Sequence, residues 1–256
     1  MPVENEKEIQ QLKNRYKELA EKSFSQNIYT FTPFLGLAEQ DIFHRIEKEL
    51  SYAGYTLFGG EKDCDRIMIR FGQALDMGYE VDFPISCIHV EPLMPKFADA
   101  LTHRDFLGAL MNLGIDRSLL GDIKVGEKEA YLFCNENIAG FICENLCKVK
   151  HTSVSCTVTK QWENIQVEGP KERVIMVASL RVDVLVSKVY NISRAKCDEL
   201  FRSGKVYVNG MLSEQKSRTL KIGDVVNVRG QGKFVLRCEA GITKKGKNNI
   251  SVAVFN

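Results

Sequence analysis

The chain has 256 residues and a formal net charge of +2, and its length predicts two or three domains, each with its own core. No apolar run approaches the ~20 residues that a membrane-spanning helix needs, which argues against an integral membrane protein. The charged beginning lacks the apolar segment of a signal peptide, so we expect a cytoplasmic protein with no membrane partner.

The first part of the chain is predicted to be a small α+β domain over residues 1–78. Apolar residues recur every three or four positions from Ile9 to Ser23, a pattern that predicts an amphipathic helix. A second helix is predicted over residues 38–51 and ends before Gly54. The segments YTLF and RIMIRF, which lie on either side of a Gly59-Gly60 loop, read as strands.

Residues 79–165 show short apolar strands that alternate with two helices. The strands are FPISCIHV, GDIKV, AYLFCN and TSVSCTV, and the helices are residues 103–113 and 136–148. The resulting order, βαββαβ, predicts a ferredoxin-like domain, which is also the scaffold of many RNA-recognition modules. A linker is predicted in QWENIQVEGPKER, where Gly169-Pro170 interrupts any regular element.

The last part, residues 174–256, is predicted to form a compact basic module. After the strand VIMVASL, apolar residues from Val182 to Val189 define a short helix, and Ser193 caps a second one. Gly204 ends that helix, a strand follows, and Asn209-Gly210 is a strong hairpin signal. The segment GDVVNVRGQGKFVLRC supplies two further strands. The predicted fold class is therefore α+β, with three small domains.

Positive charge is concentrated in this basic module. Residues 180–256 hold 15 Lys and Arg against 6 Asp and Glu, whereas residues 1–179 hold 20 against 27. On the second helix, Arg194, Asp198 and Arg202 share one arc at helical spacing, so the two arginines point the same way. A planar guanidinium group can donate two parallel hydrogen bonds to one phosphate. A folded basic module of this kind indicates nucleic acid more than lipid. The alternative for this helix alone is an ordinary solvated charged face.

A family resemblance rests on these residues. The segments RVDVLVSKVYNISRAKCDELFRSGKVYVNG and SRTLKIGDVVNVRG resemble the RNA-binding domain first described in small-subunit ribosomal protein S-four, which contains the αL motif. The resemblance implies that RNA contacts come from the second helix and the adjoining loop. The implied residues are Arg181, Ser193, Arg194, Lys196, Arg202, Lys205 and Lys216. Arg218 of the same basic loop is a further candidate.

Upstream segments extend the resemblance over nearly the whole chain. LTHRDFLGALMNLGIDRSLLGDI, FTPFLGLAEQDIF and FGGEKDCDRI resemble the YlmH family, which carries the same domain at its C-terminus. The family often has Gly-Gly-Tyr where this chain has Gly59-Gly60-Glu61. The resemblance implies binding to the large ribosomal subunit through rRNA. In some bacteria it also implies rescue of stalled ribosomes that carry peptidyl-tRNA, so tRNA is a further implied partner.

A second RNA surface is predicted in the central domain. Tyr131 and Phe133 alternate on the strand where RNA-recognition folds expose stacking aromatic residues, and the alternative is that they pack in the core. His103 and Arg104 lie on the first turn of a helix for which Thr102 and Asp105 have the spacing of a capping box. There they would be exposed and could contact RNA, although a purely structural role is the alternative.

No metal, cofactor or catalytic residue is predicted. Cys143, Cys147 and His151 could share a helix face, but zinc normally uses tight Cys-x-x-Cys pairs and no fourth ligand is evident. The eight scattered cysteines are expected to be buried free thiols rather than disulfides. No glycine-rich nucleotide motif, P-loop or nucleophile elbow is present.

We therefore expect a monomeric, non-catalytic RNA-binding protein that acts on the ribosome. The main alternative is an RNA-modifying enzyme whose active site lies in residues 1–165 and which uses the basic module to capture its substrate. A third reading is a scaffold whose acidic N-terminal domains bind another protein.

Overall fold

The computed structural model describes residues 6–61, 64–160, 170–242 and 248–255, without the side chains of residues 239, 240 and 242. The chain forms two compact units, Met1–Glu168 (the N-terminal unit) and Gly169–Asn256 (the C-terminal unit). The core of the predicted linker, residues 161–169, lies outside the described residues. Within the described part, no helix is long and apolar enough to cross a membrane.

The N-terminal unit contains five α-helices and eight strands among its described residues. The helices are α1 (Glu6–Gln26), α2 (Leu37–Ile46), α3 (Ala74–Met77), α4 (His103–Asn112) and α5 (Glu136–Asn145). The strands are β1 (Thr30–Phe31), β2 (Tyr55–Phe58), β3 (Met68–Phe71), β4 (Ile85–Pro92), β5 (Leu120–Val125), β6 (Ala130–Asn135), β7 (Lys148–Val149) and β8 (Thr152–Thr159).

The first part of this unit packs α1 and α2 against a small sheet of order β1-β3-β2. Tyr16 of α1 and Phe43 of α2 pack edge to face in its core, with their ring centroids 5.7 Å apart. The predicted second helix is shorter than expected. It ends at Ile46 and continues as a 3₁₀ helix over Glu47–Ala53, where the tighter turn still buries Leu50.

The central part is a five-stranded antiparallel sheet of order β5-β6-β4-β8-β7. The neighbouring strands β5, β6, β4 and β8 have the order of a ferredoxin-like sheet. The predicted βαββαβ topology is therefore confirmed. One face, which includes Ile88 and Leu132, packs against Phe106 of α4 and Ile142 of α5. The predicted helix over residues 136–148 was too long, because the chain leaves α5 after Asn145 and forms the short edge strand β7.

The first part of the unit covers a patch on the other face of this central sheet. Phe34 and Met68 form one buried cluster there with Cys87 of β4 and Phe133 of β6. Gly60 allows this close approach, since a Cβ at that position would lie 2.4 Å from the Phe133 ring. Residues on both sides of the predicted domain boundary at residue 78 pack in this cluster. The boundary itself stays a prediction.

Polar contacts centred on Arg66 reinforce the same junction. Its guanidinium donates hydrogen bonds to the carbonyl oxygens of Leu120 (2.7 Å), Phe34 (2.9 Å) and Arg117 (3.0 Å). The Asp122 carboxylate of β5 accepts the backbone N–H of Arg66 at 3.0 Å. Glu61, which stands where the YlmH family often has tyrosine, pairs with Lys124 of the same strand.

The C-terminal unit places two helices on a six-stranded sheet of order β11-β10-β12-β13-β14-β9. The helices are α6 (Val182–Val189) and α7 (Arg194–Arg202). The strands are β9 (Lys171–Val177), β10 (Val206–Val208), β11 (Met211–Leu212), β12 (Val225–Val228), β13 (Gly232–Ile242) and β14 (Asn248–Phe255). The predicted hairpin at Asn209-Gly210 is present, with Val208 paired to Met211.

Two features of this sheet differ from the sequence prediction. Strand β9 begins at Lys171, inside the segment predicted as linker, because it pairs along its whole length with β14. Strand β14 itself was missed. Its residues Ile250, Val252 and Val254 are buried in the core together with Leu185 and Val186 of α6.

Candidate nucleic-acid interface

Helix α7 presents its arginines to solvent while its apolar side is buried. Ser193 caps the helix by accepting the backbone N–H of Lys196 at 3.2 Å, and Cys197 and Leu200 face the core. Arg194 and Arg202 are both exposed, and neither forms an ion pair with any residue that the structure describes. Their guanidinium groups are therefore available to an outside anion.

The loop that follows the hairpin is held against the start of α6. The backbone N–H of Asp183 donates to the carbonyl oxygen of Lys216 (3.2 Å), and that of Val182 donates to the carbonyl oxygen of Arg218 (2.9 Å). These bonds bring the cations of the loop beside the two helices, although many residues separate them in sequence. Both Lys216 and Arg218 are exposed.

Lys216 also reaches α7 directly. Its ammonium nitrogen lies 2.8 Å from Oδ1 of Asp198, and this hydrogen bond, with the positive charge of the lysine, lowers the pKa of Asp198. Asp198 lies one helical turn from Arg194 and one from Arg202. The pair therefore fixes a third cation on the face of α7 that carries the two arginines.

The other predicted contact residues are placed around this surface, with different local roles. Arg181 precedes α6 and donates two hydrogen bonds, of 3.0 and 2.7 Å, to the Asp183 carboxylate. Lys196 pairs with Glu199 at 2.9 Å, one turn along the helix. Lys205 is exposed at the start of the hairpin. Whether any of these residues contacts RNA stays a prediction.

We call the exposed cations of α7 and of the adjoining loop, Arg194, Arg202, Lys216 and Arg218, the arginine surface. It belongs to a unit of strong positive charge, since residues 169–256 hold 17 Lys and Arg against 7 Asp and Glu. Residues 1–168 hold 18 against 26. Such a segregated cationic surface is suited to a polyanion.

The second surface predicted in the central domain needs one correction. Phe133 is 0% exposed and packs with Phe34 and Met68, so it cannot stack on a base. Tyr131 is half-buried, and its ring stacks on that of His89 at a centroid distance of 4.7 Å. The sequence pointed to the right strand, but distant residues that cover part of the sheet decided which aromatic is buried.

His103 and Arg104 are exposed on the first turn of α4. The predicted capping interaction is present in part. The Asp105 carboxylate accepts both the backbone N–H and the hydroxyl of Thr102, each at 2.8 Å, and the backbone hydrogen bond lowers its pKa. Asp105 thus holds the start of the helix on which His103 and Arg104 are exposed.

All eight cysteines are free thiols. The expectation that they are buried is confirmed for Cys87, Cys134 and Cys197. It is wrong for Cys147 and Cys238, which are exposed, while Cys64, Cys143 and Cys156 are half-buried. Burial raises the pKa of Cys87, Cys134 and Cys156 to about 12. Among the residues that the structure describes, no group of three or more His, Cys, Asp or Glu side chains could hold a metal ion.

Fold and surface together define an α+β protein of several domains whose C-terminal unit carries a cationic face. Comparison with known families adds two matches. Residues 79–163 match the family model described as "Putative RNA-binding domain in YlmH", and residues 171–231 match "Mitochondrial transcription rescue factor 1, C-terminal domain".

Two relatives are similar to larger parts of the chain. The ribosome-associated protein quality control protein P2 of Bacillus subtilis is 28% identical over 236 residues, which cover 91% of this chain and 88% of that protein. The solved structure of cell division protein ylmH from Streptococcus pneumoniae has 20% sequence identity and a TM-score of 0.46. It covers 62% of this chain and 95% of its own. These matches confirm the resemblance to the YlmH family that the sequence predicted.

Proposed function

We propose that this chain is a non-catalytic RNA-binding protein that associates with the ribosome. The observation that carries the proposal is the arginine surface, where Arg194 and Arg202 project from one rigid helix beside Lys216 without an ion-pair partner among the described residues. A helix already fixes the backbone that carries these cations, so only their side chains have to be ordered when they bind phosphate. The name of the Bacillus subtilis relative, which matches over most of both chains, supports the association with ribosomes.

The finer parts of the proposal rest on the resemblance to the YlmH family. The chain binds rRNA of the large subunit, contacts tRNA or peptidyl-tRNA there, and takes part in the rescue of stalled ribosomes. It works in the cytoplasm as a monomer, without a cofactor. The match of residues 79–163 to an RNA-binding family supports a second contact in the central domain, for which Tyr131, His103 and Arg104 are the candidates.

Sedimentation with purified large subunits tests the proposal. The double variant Arg194→Ala/Arg202→Ala should remain in the supernatant at a salt concentration where the wild-type chain pellets. Arg15→Ala/Lys22→Ala removes the same charge from exposed positions of α1 and should pellet like the wild type. Circular dichroism shows whether each variant is folded. Pelleting of the folded double variant at the wild-type level would contradict the proposal.

A further inference from the structure

A groove of about 570 Å³ opens beside the arginine surface on the C-terminal unit. Its walls come from the end of β9, from α6, from the first half of α7 and from the loop at Lys216. This volume lies within the range of roughly 300–1,000 Å³ that small organic ligands occupy, and it is larger than a single phosphate group requires.

The charges of the groove are arranged by depth. In the pair Arg181–Asp183 the arginine side chain is 43% exposed and the carboxylate 20%. In the pair Lys216–Asp198 the lysine is 52% exposed and the carboxylate 34%. The cations therefore lie towards the rim and the carboxylates deeper. Arg194 and Lys188 also line the groove and have no ion-pair partner among the described residues. A phosphate is attracted to this rim and repelled from the interior.

The interior combines apolar side chains with hydrogen-bond acceptors. Met176 of β9 and Val184 of α6 line the groove together with the two carboxylates. An anion does not suit such an interior, but a flat group with apolar faces and N–H donors at its edge does. Among the parts of RNA, this describes a nucleobase with an exocyclic amine, for which Asp is a matching acceptor. A base inside a duplex cannot enter, whereas an unpaired base can be turned outwards.

We propose that the groove takes one unstacked nucleotide of a folded RNA, with its phosphate at the cationic rim and its base between Met176 and Val184. Adenine or cytosine is preferred over uracil, because uracil lacks the exocyclic amine that donates a hydrogen bond to a carboxylate. This inference rests on the proposed function and adds to it the kind of RNA element that is recognised.

The test uses the full chain and fluorescently labelled RNA hairpins that share one stem and loop. They carry a single bulged A, a bulged C, a bulged U or no bulge, and the Kd of each is measured by anisotropy at constant salt. The hairpins with bulged A or C should bind about fivefold or more tightly than the hairpin without a bulge, as expected for a base that leaves solvent for a binding site.

Met176→Ala should remove most of this preference while binding of the hairpin without a bulge stays the same, because no charge changes. Met176 is 48% exposed, so its truncation does not open a hole in the core. The matched control is Val174→Ala, which lies on the same strand, is 66% exposed and does not line the groove. This control should keep the wild-type preference.

The outcomes separate the inference from the proposed function. Equal binding of bulged and unbulged hairpins would overturn the inference while RNA binding itself stands, and so would a preference that survives in Met176→Ala. A bulged U bound as tightly as A or C would overturn the role of the carboxylates. Failure to bind any hairpin would overturn both the inference and the proposed function.

Discussion

The ammonium nitrogen of Lys216 lies 2.8 Å from Oδ1 of Asp198, a residue 18 positions earlier in the chain. Because Asp198 stands one turn from Arg194 and one from Arg202, this contact sets a loop lysine on the face that the two arginines share. An acidic residue in the middle of a basic helix face thus helps to organise that face. It fixes the position of a further cation instead of merely cancelling charge.

The pair can be tested by titration. Lys216→Gln removes the hydrogen bond and the positive charge that lower the pKa of Asp198, so this pKa should rise towards the ordinary value of an aspartate. Carboxyl chemical shifts followed by NMR as a function of pH measure it directly. Lys221→Gln removes a lysine from the same exposed loop and should leave Asp198 unchanged.

The same pair predicts the sign of a pH effect on stability. A carboxyl group whose pKa is depressed in the folded state stabilises the fold above its unfolded-state pKa, and loses this contribution as the pH falls through the folded value. The difference in unfolding free energy between wild type and Lys216→Gln should therefore be present at neutral pH and vanish in acid. A difference that grows in acid, or an Asp198 that titrates identically in both proteins, would contradict the account.

Arg66 is predicted to be important for the stability of the N-terminal unit. Arg66→Met leaves the carbonyl oxygens of Leu120, Phe34 and Arg117 without the donor that they share. We expect the unfolding free energy to fall by about 2–4 kcal/mol, measured by denaturant titration followed by circular dichroism. Arg15→Met is the control, because Arg15 forms only an exposed pair with Glu18 and should cost less than about 0.5 kcal/mol. Equal losses for the two variants would contradict this role of Arg66.

The thiols should differ sharply in their reaction with an alkylating reagent. Cys147 and Cys238 are exposed and should react within minutes at mildly alkaline pH. Cys134 is buried and its pKa is raised to about 12, so it should react only when the protein opens. Pulsed alkylation with mass spectrometry measures each site separately. Rapid labelling of Cys134 in the native protein would show that the sheet is not packed as described.

The fold was predictable where apolar residues alternate between clear turn signals. The four main strands of the central sheet and both of its helices follow that pattern, as do α6, α7 and the Asn209-Gly210 hairpin. Strand β14 was missed although Ile250, Val252 and Val254 alternate as buried strand residues should. Strand β9 could not be delimited, since its first residues are exposed and are ordered by pairing with β14.

The site was predictable only in part. Helical spacing places Arg194 and Arg202 on one face, and the structure agrees. The pairing of Lys216 with Asp198 and the groove lined by Met176 depend on contacts between distant segments, which no local pattern contains. The burial of Phe133 has the same origin, because Phe34 and Met68 cover it from another part of the unit.

The salt dependence of RNA binding tests the central claim most directly. Each lysine or arginine that neutralises a phosphate releases counterions, which contributes about one unit to the slope of log K against log salt concentration. Measured with an RNA hairpin, Arg194→Ala/Arg202→Ala should flatten this slope by about two units relative to wild type, whereas Arg15→Ala/Lys22→Ala should leave it unchanged. The same slope for wild type and for the folded Arg194→Ala/Arg202→Ala variant would contradict the claim that these arginines bind the RNA backbone.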